Sequence, residues 1–335
     1  MNIQNLVREN IKVLQPYSSA RDEFKDASDD MVFIDANENP FDTGINRYPD
    51  PQQNLVKDQL ANIKGVSKEQ ILLGNGSDEV LDLIFRVFCE PKLDSVIALP
   101  PTYGMYKVLA NTNDIKLIEV PLTKSFQPDV NGILDFYNLQ AKILFICSPN
   151  NPTANSFDAD KIEKLIQDFS GIVVIDEAYI DFSSQESWIS RLNDFPNLIV
   201  TQTLSKAYGL AGIRLGVCYA STEIISVLNK IKPPYNVNQL TQEAALERLK
   251  NQDQVNQEVQ EIISERNQLI IDLQEVNLVQ QIFPSDANFL LVKVDDANKR
   301  YDELLRHGIV IRNRTTQLGC ENCLRISLGT PAENK

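Results

Sequence analysis

The chain has 335 residues, of which 43% are hydrophobic and 23% are charged, a composition typical of an ordinary globular protein. Its 46 acidic and 32 basic residues give a net charge of −14. This charge argues against nucleic acid as the main partner, because a phosphate backbone requires a basic surface. No stretch approaches the roughly 20 consecutive apolar residues of a membrane-spanning helix, and the polar start of the chain does not resemble a signal peptide.

The N-terminal arm, residues 1–30, carries no strand pattern, and we expect it to pack on a smaller domain or on a partner subunit. Residues 31–225 form the predicted large domain, in which short apolar runs rich in Val and Ile alternate with helical patterns. Such runs are typical of strands buried on both faces of a parallel sheet and joined by helices. The runs cover residues 95–99, 115–120, 142–147, 171–176, 197–202 and 215–220.

Residues 226–335 are predicted to form a smaller C-terminal α/β domain. A long polar helical region covers roughly 238–273, and strand-like runs follow at 290–294, 308–312 and 324–329. The sequence therefore predicts an α/β fold with two domains, the larger one built on a mostly parallel sheet flanked by helices.

The cysteines are scattered, and three of them lie in apolar strand-like runs, which is typical of a reduced, cytoplasmic protein. Cys320 and Cys323 form one C-x-x-C pair without a second pair or a nearby histidine, so we expect no metal site. The single histidine, His307, ends a predicted helix, where its positive form would interact favourably with the helix dipole. Histidine-based catalysis is therefore not expected.

Polar clusters follow five of the predicted strands. Because ligands of open α/β sheets bind outside the carboxyl ends of the strands, we expect these clusters to form one site. They are GNGSDE (74–79), PPTYGMY (100–106), SPNNPT (148–153), DEAY (176–179) and TLSK (203–206).

Lys206 lies in the segment TLSKAYGLAGIRLG (203–216), among small and apolar residues. An ammonium group in such surroundings is costly unless it is paired or used. Burial near Arg214 would lower the pKa of the lysine and favour its neutral, nucleophilic form. The GNGSDE turn could hold an anion, because its glycines allow backbone N–H groups to approach and a helix begins there. Ser205 and Arg214 would add donors to that anion.

Asp176 falls at the end of a predicted strand with no basic residue nearby in sequence. A buried carboxylate needs a cationic partner, and a protonated heteroaromatic nitrogen of a cofactor would be one. The alternative is that Asp176 caps the following helix. Asn151 would donate to a ring oxygen, and Tyr103 would stack on a flat ring unless it is a half-buried core residue. Together these features favour an aromatic phosphorylated aldehyde bound to Lys206 as a Schiff base.

The motifs NPT, DEAY, TLSKAYGLAGIRLG and LRISLG resemble those of the fold type I, pyridoxal-phosphate-dependent aminotransferases of classes I and II. Among these enzymes, the chain is most similar to the histidinol-phosphate aminotransferase family, and the similarity extends from residue 16 to residue 331. The motifs that narrow the family include PYSSARDEF (16–24), IDANENP (34–40), NRYPDPQ (46–52), VVIDEAYIDF (173–182) and DANFLLV (286–292).

The resemblance implies a seven-stranded sheet and a homodimer with shared active sites. It also implies ping-pong transamination in histidine biosynthesis, in which histidinol phosphate and 2-oxoglutarate give imidazole-acetol phosphate and glutamate. Lys206 would form the Schiff base and transfer the proton, and Asp176 would keep the pyridine nitrogen of pyridoxal phosphate protonated. Tyr179 and Asn151 would bind the phenolic oxygen of the ring, and Tyr103 would stack on it.

The remaining roles implied by the resemblance concern anions. The cofactor phosphate would be held by Gly76, Ser77, Asp78, Ser205 and Arg214, and by Tyr48 from the neighbouring subunit. Substrate anions would be held by Arg325 and Arg312, with Tyr17 and Asn37 close to the substrate. Arg314 is expected to be a surface charge without a role.

Two features depart from the family pattern. Ala154 stands where the family has the glycine of N-P-T-G, and it would cost on the order of 1 kcal/mol if that turn requires a positive φ. The printed chain also ends with LGTPAENK, where relatives typically continue into a last helix.

Three other functions share the fold. An aromatic amino acid aminotransferase and a threonine-phosphate decarboxylase-like enzyme would use the same cofactor residues. A transcription regulator with this fold would carry a basic DNA-binding module ahead of it. Only about thirty residues precede the first predicted strand, and the net charge is negative, so we do not expect such a module.

Overall fold

The structure is a computed structural model that describes residues 2–19, 31–135 and 141–335. The predicted N-terminal arm and the segment PYSSARDEF therefore lie partly outside the described residues. Within the described ranges, no helix is at once long enough and apolar enough to span a bilayer.

A sheet of seven strands, hereafter the large sheet, forms the centre of the fold and confirms the predicted strand number. Its strands are β1 (Ile71–Asn75), β2 (Ser95–Ala98), β3 (Lys116–Glu119), β4 (Ala141–Cys147), β5 (Ile172–Asp176), β6 (Leu198–Thr203) and β7 (Leu215–Ala220).

The large sheet is mostly parallel, as the sequence predicts. The strand order is β1-β7-β6-β5-β4-β2-β3, and only β7 runs antiparallel to its two neighbours. Successive residues of β4 belong to two different buried clusters: Ile143 and Phe145 pack on one side, and Leu144 and Ile146 on the other. Burial on both faces explains why the strands are continuous apolar runs.

Helices cover the large sheet and continue into the C-terminal part. They are α1 (Glu9–Lys12), α2 (Asn54–Lys64), α3 (Ser77–Phe88), α4 (Met105–Thr112), α5 (Val130–Asp135), α6 (Ala159–Asp168), α7 (Thr222–Asn229), α8 (Gln239–Leu249), α9 (Gln252–Gln274), α10 (Ala297–Arg306) and α11 (Pro331–Asn334). The predicted helical region at 238–273 is thus two helices, α8 and α9, with Lys250 and Asn251 between them.

A second sheet of four antiparallel strands, hereafter the small sheet, lies in the C-terminal part. Its order is β10-β11-β9-β8, with β8 (Val279–Ile282), β9 (Phe289–Val294), β10 (Arg312–Asn313) and β11 (Cys323–Ser327). The prediction of a strand at 308–312 is wrong over most of that range, since the observed strand β10 begins only at Arg312. Val310 is 78% exposed and lies outside the strands of the described residues. The domain ranges 31–225 and 226–335 stay a prediction.

The described part of the N-terminal arm packs on helices of the large sheet. Its expected packing on the smaller domain or on a partner subunit stays a prediction. Ile3, Val7 and Ile11 are buried in the same cluster as the apolar face of α3. Ile3 lies in a 3-10 turn and Ile11 in α1, with the extended backbone of Arg8 between the two elements. The Arg8 N–H also donates to the Val87 carbonyl at 3.0 Å, and the Arg8 guanidinium pairs with Glu90 at 3.0 Å.

The turn between β1 and α3 is held against the start of β7. Gly76 has a φ of 80°, and its N–H donates to the Arg214 carbonyl at 2.8 Å. A Cβ on Gly216 would lie only 2.2 Å from the Ser77 nitrogen, so the two backbones approach as closely as glycine allows. This crossing fixes the first N–H groups of α3 beside the β6–β7 connection, which contains Lys206.

Gly216→Ala is expected to lower the free energy of unfolding by at least about 2 kcal/mol, because the added Cβ meets backbone atoms that cannot rotate away. Gly212→Ala is the matched control: no heavy atom lies within 4 Å of its Cβ, and a change within about 0.5 kcal/mol is expected. Chemical denaturation of both variants measures the difference. Equal stabilities would contradict the close approach of the Gly216 and Ser77 backbones.

Candidate active site

A cavity of about 130 Å³ lies at the carboxyl ends of β4, β5 and β6. It brings together most of the residues that the sequence singled out, although they come from five separate segments of the chain. The predicted residues that line it are Ser77, Asp78, Tyr103, Asn151, Asp176, Tyr179, Ser205, Lys206 and Arg214. Cys147, Ala178, Thr203 and Ala211 complete the wall.

Asp176, the last residue of β5, lies at the bottom of this cavity and is 4% exposed. The Tyr106 hydroxyl donates to one carboxylate oxygen at 2.8 Å, and the Ala178 N–H donates to the other at 3.3 Å. Within the described part of the chain, no cation lies within 4 Å of this carboxylate. Burial therefore raises the pKa of Asp176 to about 6, although the Tyr106 hydrogen bond opposes the rise. The alternative role as a helix cap is not observed, since a 3-10 turn without a side-chain cap follows.

Lys206 lies across the cavity from Asp176, with its Nζ 5.7 Å from the centre of the Tyr179 ring. Its pKa is lowered first by partial burial of the ammonium and then by the charge of Arg325; Arg214 contributes less than Arg325. The side chain as a whole remains exposed at the mouth of the cavity, so only part of it is desolvated. The prediction of a lowered pKa is thus met, with Arg325 rather than Arg214 as the main charged cause.

A chain of hydrogen bonds runs from Tyr179 to the small sheet. The Asn151 amide donates to the Tyr179 hydroxyl at 3.5 Å, and an Arg325 guanidinium N–H donates to the Asn151 carbonyl oxygen at 2.6 Å. Arg325, in β11, also lies over the Phe289 ring at 5.3 Å. This chain joins the cavity of the large sheet to a strand of the small sheet.

The predicted anion site consists of the α3 N-terminus and Arg214. The Arg214 guanidinium lies against Gly76, where a Cβ would be only 2.7 Å from its Nη2. The same Nη2 is 3.8 Å from the Asp78 carboxylate, whose other oxygen accepts a hydrogen bond from the Tyr103 hydroxyl at 3.0 Å. Asp78 therefore orients Tyr103 and Arg214, two side chains with predicted roles in cofactor binding.

Tyr106 was not predicted, yet it provides the side-chain hydrogen bond to Asp176. It is fully buried and stacks on Phe145 at 4.8 Å, which fixes its hydroxyl beneath β5. The sequence signal was available: Tyr103 and Tyr106 are three residues apart in PPTYGMY, a spacing that brings two side chains of a helical turn to the same side. Their rings meet edge to face at 5.7 Å.

Ala154 has a φ of 67° and no exposed surface, so the NPTA turn does require the left-handed conformation. Its N–H donates to the Asn150 carbonyl at 2.7 Å and closes the turn. The buried methyl group packs in the core and offsets part of the conformational cost.

The structure does not bring every predicted residue to the cavity. Tyr48 and Asn37 line a separate surface depression of about 490 Å³, where Tyr48 stacks on Tyr235 at 4.5 Å. Tyr17 is 74% exposed and lines neither cavity. Arg312 is exposed, whereas its cross-strand partner Arg325 is half-buried.

The family model described as aminotransferase class I and II matches residues 24–335. The chain belongs to this family. It is 62% identical over 334 residues to a histidinol-phosphate aminotransferase of Flavobacterium johnsoniae, covering 99% of this chain and 96% of the relative. It is 64% identical over 334 residues to one of Christiangramia forsetii, covering 100% and 95%.

A solved structure has the same fold. It is a histidinol-phosphate aminotransferase of Sinorhizobium meliloti in complex with pyridoxal-5'-phosphate, 27% identical, with a TM-score of 0.79 over 86% of this chain and 80% of that one. The chain is therefore a fold type I, pyridoxal-phosphate-dependent aminotransferase.

The residues of the cavity fit this cofactor. The buried Asp176 carboxylate has no cationic partner among the described residues. A protonated pyridine nitrogen would supply that partner. The glycine turn before α3 leaves N–H groups and Arg214 for a phosphate. Lys206 supplies an amine with a lowered pKa for the aldehyde.

Asp176→Asn is expected to stabilise the cofactor-free protein at pH 8. In the folded state the pKa of this carboxyl is about 6, against 3.8 for an ordinary aspartate. Between pH 3.8 and pH 6 the folded protein therefore binds more protons than the unfolded chain. Stability therefore falls as pH rises through that window. Asparagine retains an acceptor for the Tyr106 hydroxyl and removes this loss of stability, which is worth about 3 kcal/mol at pH 8.

Denaturation of both proteins at pH 4 and pH 8 tests this effect. The buried Glu177, whose pKa burial raises to about 7, is present in both proteins and cancels in the comparison. An advantage of the variant that does not grow from pH 4 to pH 8 would contradict the account of Asp176.

Proposed function

We propose that the chain is a histidinol-phosphate aminotransferase, which converts histidinol phosphate and 2-oxoglutarate to imidazole-acetol phosphate and glutamate. The observation that carries this proposal is the identity of 62% and 64% to relatives of that name over nearly the whole length of both chains. An aromatic amino acid aminotransferase and a threonine-phosphate decarboxylase-like enzyme are the alternatives.

In this proposal Lys206 is the residue that moves protons. Pyridoxal phosphate, when bound, supplies an electron sink for the negative charge left on the amine-bearing carbon of the substrate. When the cofactor is bound, the Lys206 Nζ would hold its aldehyde carbon until the substrate amine takes that place. The freed amine, whose neutral form is favoured by its lowered pKa, would then accept the proton from the substrate carbon.

Asp176 and its neighbours set the position and charge of the ring. The Asp176 carboxylate holds a proton on the pyridine nitrogen, and Tyr106 keeps that carboxylate oriented. Tyr179 and Asn151, already in contact at 3.5 Å, bind the phenolic oxygen of the ring. Tyr103, held by Asp78, stacks on the ring.

Substrate anions are bound in this proposal by arginines of the small sheet. Arg325 is half-buried and already tied to Asn151, so an anion on it is placed at a fixed distance from the ring. The same guanidinium fork accepts a phosphate or a carboxylate, which allows one site to serve both substrates in turn.

The working unit in this proposal is a cytoplasmic homodimer. Tyr48 and Asn37 are exposed or half-exposed and face a depression outside their own chain's cavity, as residues that complete a neighbour's site would. The exposed apolar side chains of Ile45 and Leu240 line the same depression, and Ile34 and Phe41 of the preceding segment are also exposed. Such a patch is typical of a protein interface.

The enzyme loaded with cofactor is expected to transfer the amine of histidinol phosphate in a single-turnover reaction, followed by the change in cofactor absorbance. Phenylalanine and threonine phosphate should react at least about tenfold less efficiently. Lys206→Ala should still bind the cofactor and lose at least about a thousandfold in rate, since it lacks the proton carrier.

Two results would count against the proposal. A loaded wild-type enzyme that leaves histidinol phosphate unchanged but reacts with phenylalanine would favour the aromatic aminotransferase. Release of carbon dioxide from threonine phosphate would favour the decarboxylase. Arg306→Gln, on the exposed surface of α10, is the control for substitutions of charged residues and should leave every rate unchanged.

A further inference from the structure

Three arginines share one face of the small sheet. Arg312 and Arg325 are directly opposite each other in the β10–β11 ladder, so their side chains point to the same face. The Arg314 N–H donates to the Cys323 carbonyl at 2.8 Å, which extends the ladder by two residues beyond Arg312. Because side chains alternate along a strand, Arg314 shares the face of Arg312 and Arg325.

This cluster of three arginines has no acidic counterpart among the described residues, where none of the three guanidinium groups pairs with a carboxylate. Burial lowers the pKa of Arg314, and the charges of Arg325 and Arg312 lower it further. Burial also lowers the pKa of Arg325; the Tyr179 phenol opposes this effect and the charge of Arg312 adds to it. Like charges on one sheet face destabilise it. The fold therefore retains a positive charge that only a bound anion would neutralise.

Arg314 lies deeper in this cluster than Arg312. Arg314 is half-buried and Arg312 exposed, although the resemblance gave a substrate role to Arg312 and none to Arg314. The Nε of Arg314 is buried and has no hydrogen-bond partner among the described residues, and the same is true of the Nε of Arg325. An unsatisfied buried donor costs free energy, which a ligand oxygen would recover.

Arg314 is also close to the proposed reaction site. Its charge acts on the Tyr179 phenol, as does that of Arg325, and both favour the ionised form against the effect of burial. Arg325 has one N–H occupied by Asn151. A doubly charged group therefore offers more acceptors than Arg325 alone can bind, and the buried Nε of Arg314, which has no partner among the described residues, is a further donor.

We propose that Arg314 is a further substrate-binding residue, which binds the distal anionic group and makes the site select a phosphate monoester or a dicarboxylate over the same molecule with a neutral end. This inference rests on the proposed function for the phosphate monoester. For the dicarboxylate, the inference requires only that the protein is an aminotransferase.

The test compares substrates that differ by the distal charge. In single-turnover reactions, Arg314→Gln should lower kcat/KM about 10- to 100-fold for histidinol phosphate and for glutamate, mainly through KM. The corresponding values for histidinol and glutamine should change less than about threefold. Arg314→Lys, which keeps the charge without the planar fork, should recover part of the loss. Arg306→Gln again serves as the control.

A binding measurement complements the rates. Without ligand, Arg314→Gln should melt at the same temperature as the wild type or higher, because it relieves repulsion in the cluster. Added 2-oxoglutarate should raise the melting temperature of the wild type more than that of the variant. Equal losses for charged and neutral substrates, or a variant that is simply less stable, would mean a structural role and overturn the inference.

The outcomes also separate this inference from the proposed function. If the wild type rejects histidinol phosphate but Arg314→Gln loses the preference for glutamate over glutamine, the proposed function fails and the role of Arg314 stands. If the wild type accepts histidinol phosphate and the variant discriminates as well as the wild type, the role of Arg314 fails.

Discussion

The active site depends on one buried charge, the carboxylate of Asp176. It lies at the end of the central strand β5, and its hydrogen bonds to Tyr106 and Ala178 do not fully offset the loss of water, as its raised pKa shows. A cation opposite it would restore the balance. The parallel sheet creates this situation, because neighbouring strands end together and open a cavity beside the carboxylate, with Lys206 across from it.

Much of the fold could be predicted because burial on both faces leaves a simple signal. The strands of the large sheet are uninterrupted apolar runs, and only β1 and the polar edge strand β3 are less distinct. The small sheet gave weaker signals. β8 reads VQQI and is half-exposed, so no apolar alternation marks it, whereas the apolar run at 308–312 remains mostly outside the sheet. Local patterns also cannot say which surface an N-terminal arm covers.

The candidate site was predictable where chemistry requires a particular residue type at a strand end. Lys206 and Asp176 are of this kind, since a lone charge in apolar sequence demands an explanation. Tyr106 escaped notice because a buried tyrosine is common in cores, and only the structure shows its hydroxyl on Asp176. The sequence assigned a substrate anion to Arg312 and no role to Arg314, whereas Arg314 is the more buried of the two. Period-two alternation gives the face of a residue but not its burial.

The state of the cofactor's ring nitrogen tests the central claim most directly. The measurement is the ¹⁵N NMR shift of pyridoxal phosphate labelled at that nitrogen and bound to the wild type and to Asp176→Asn at pH 8. The account predicts a protonated nitrogen in the wild type and an unprotonated one in the variant, because only the carboxylate holds the proton there. An unprotonated nitrogen in the wild type, or no difference between the two proteins, would contradict it.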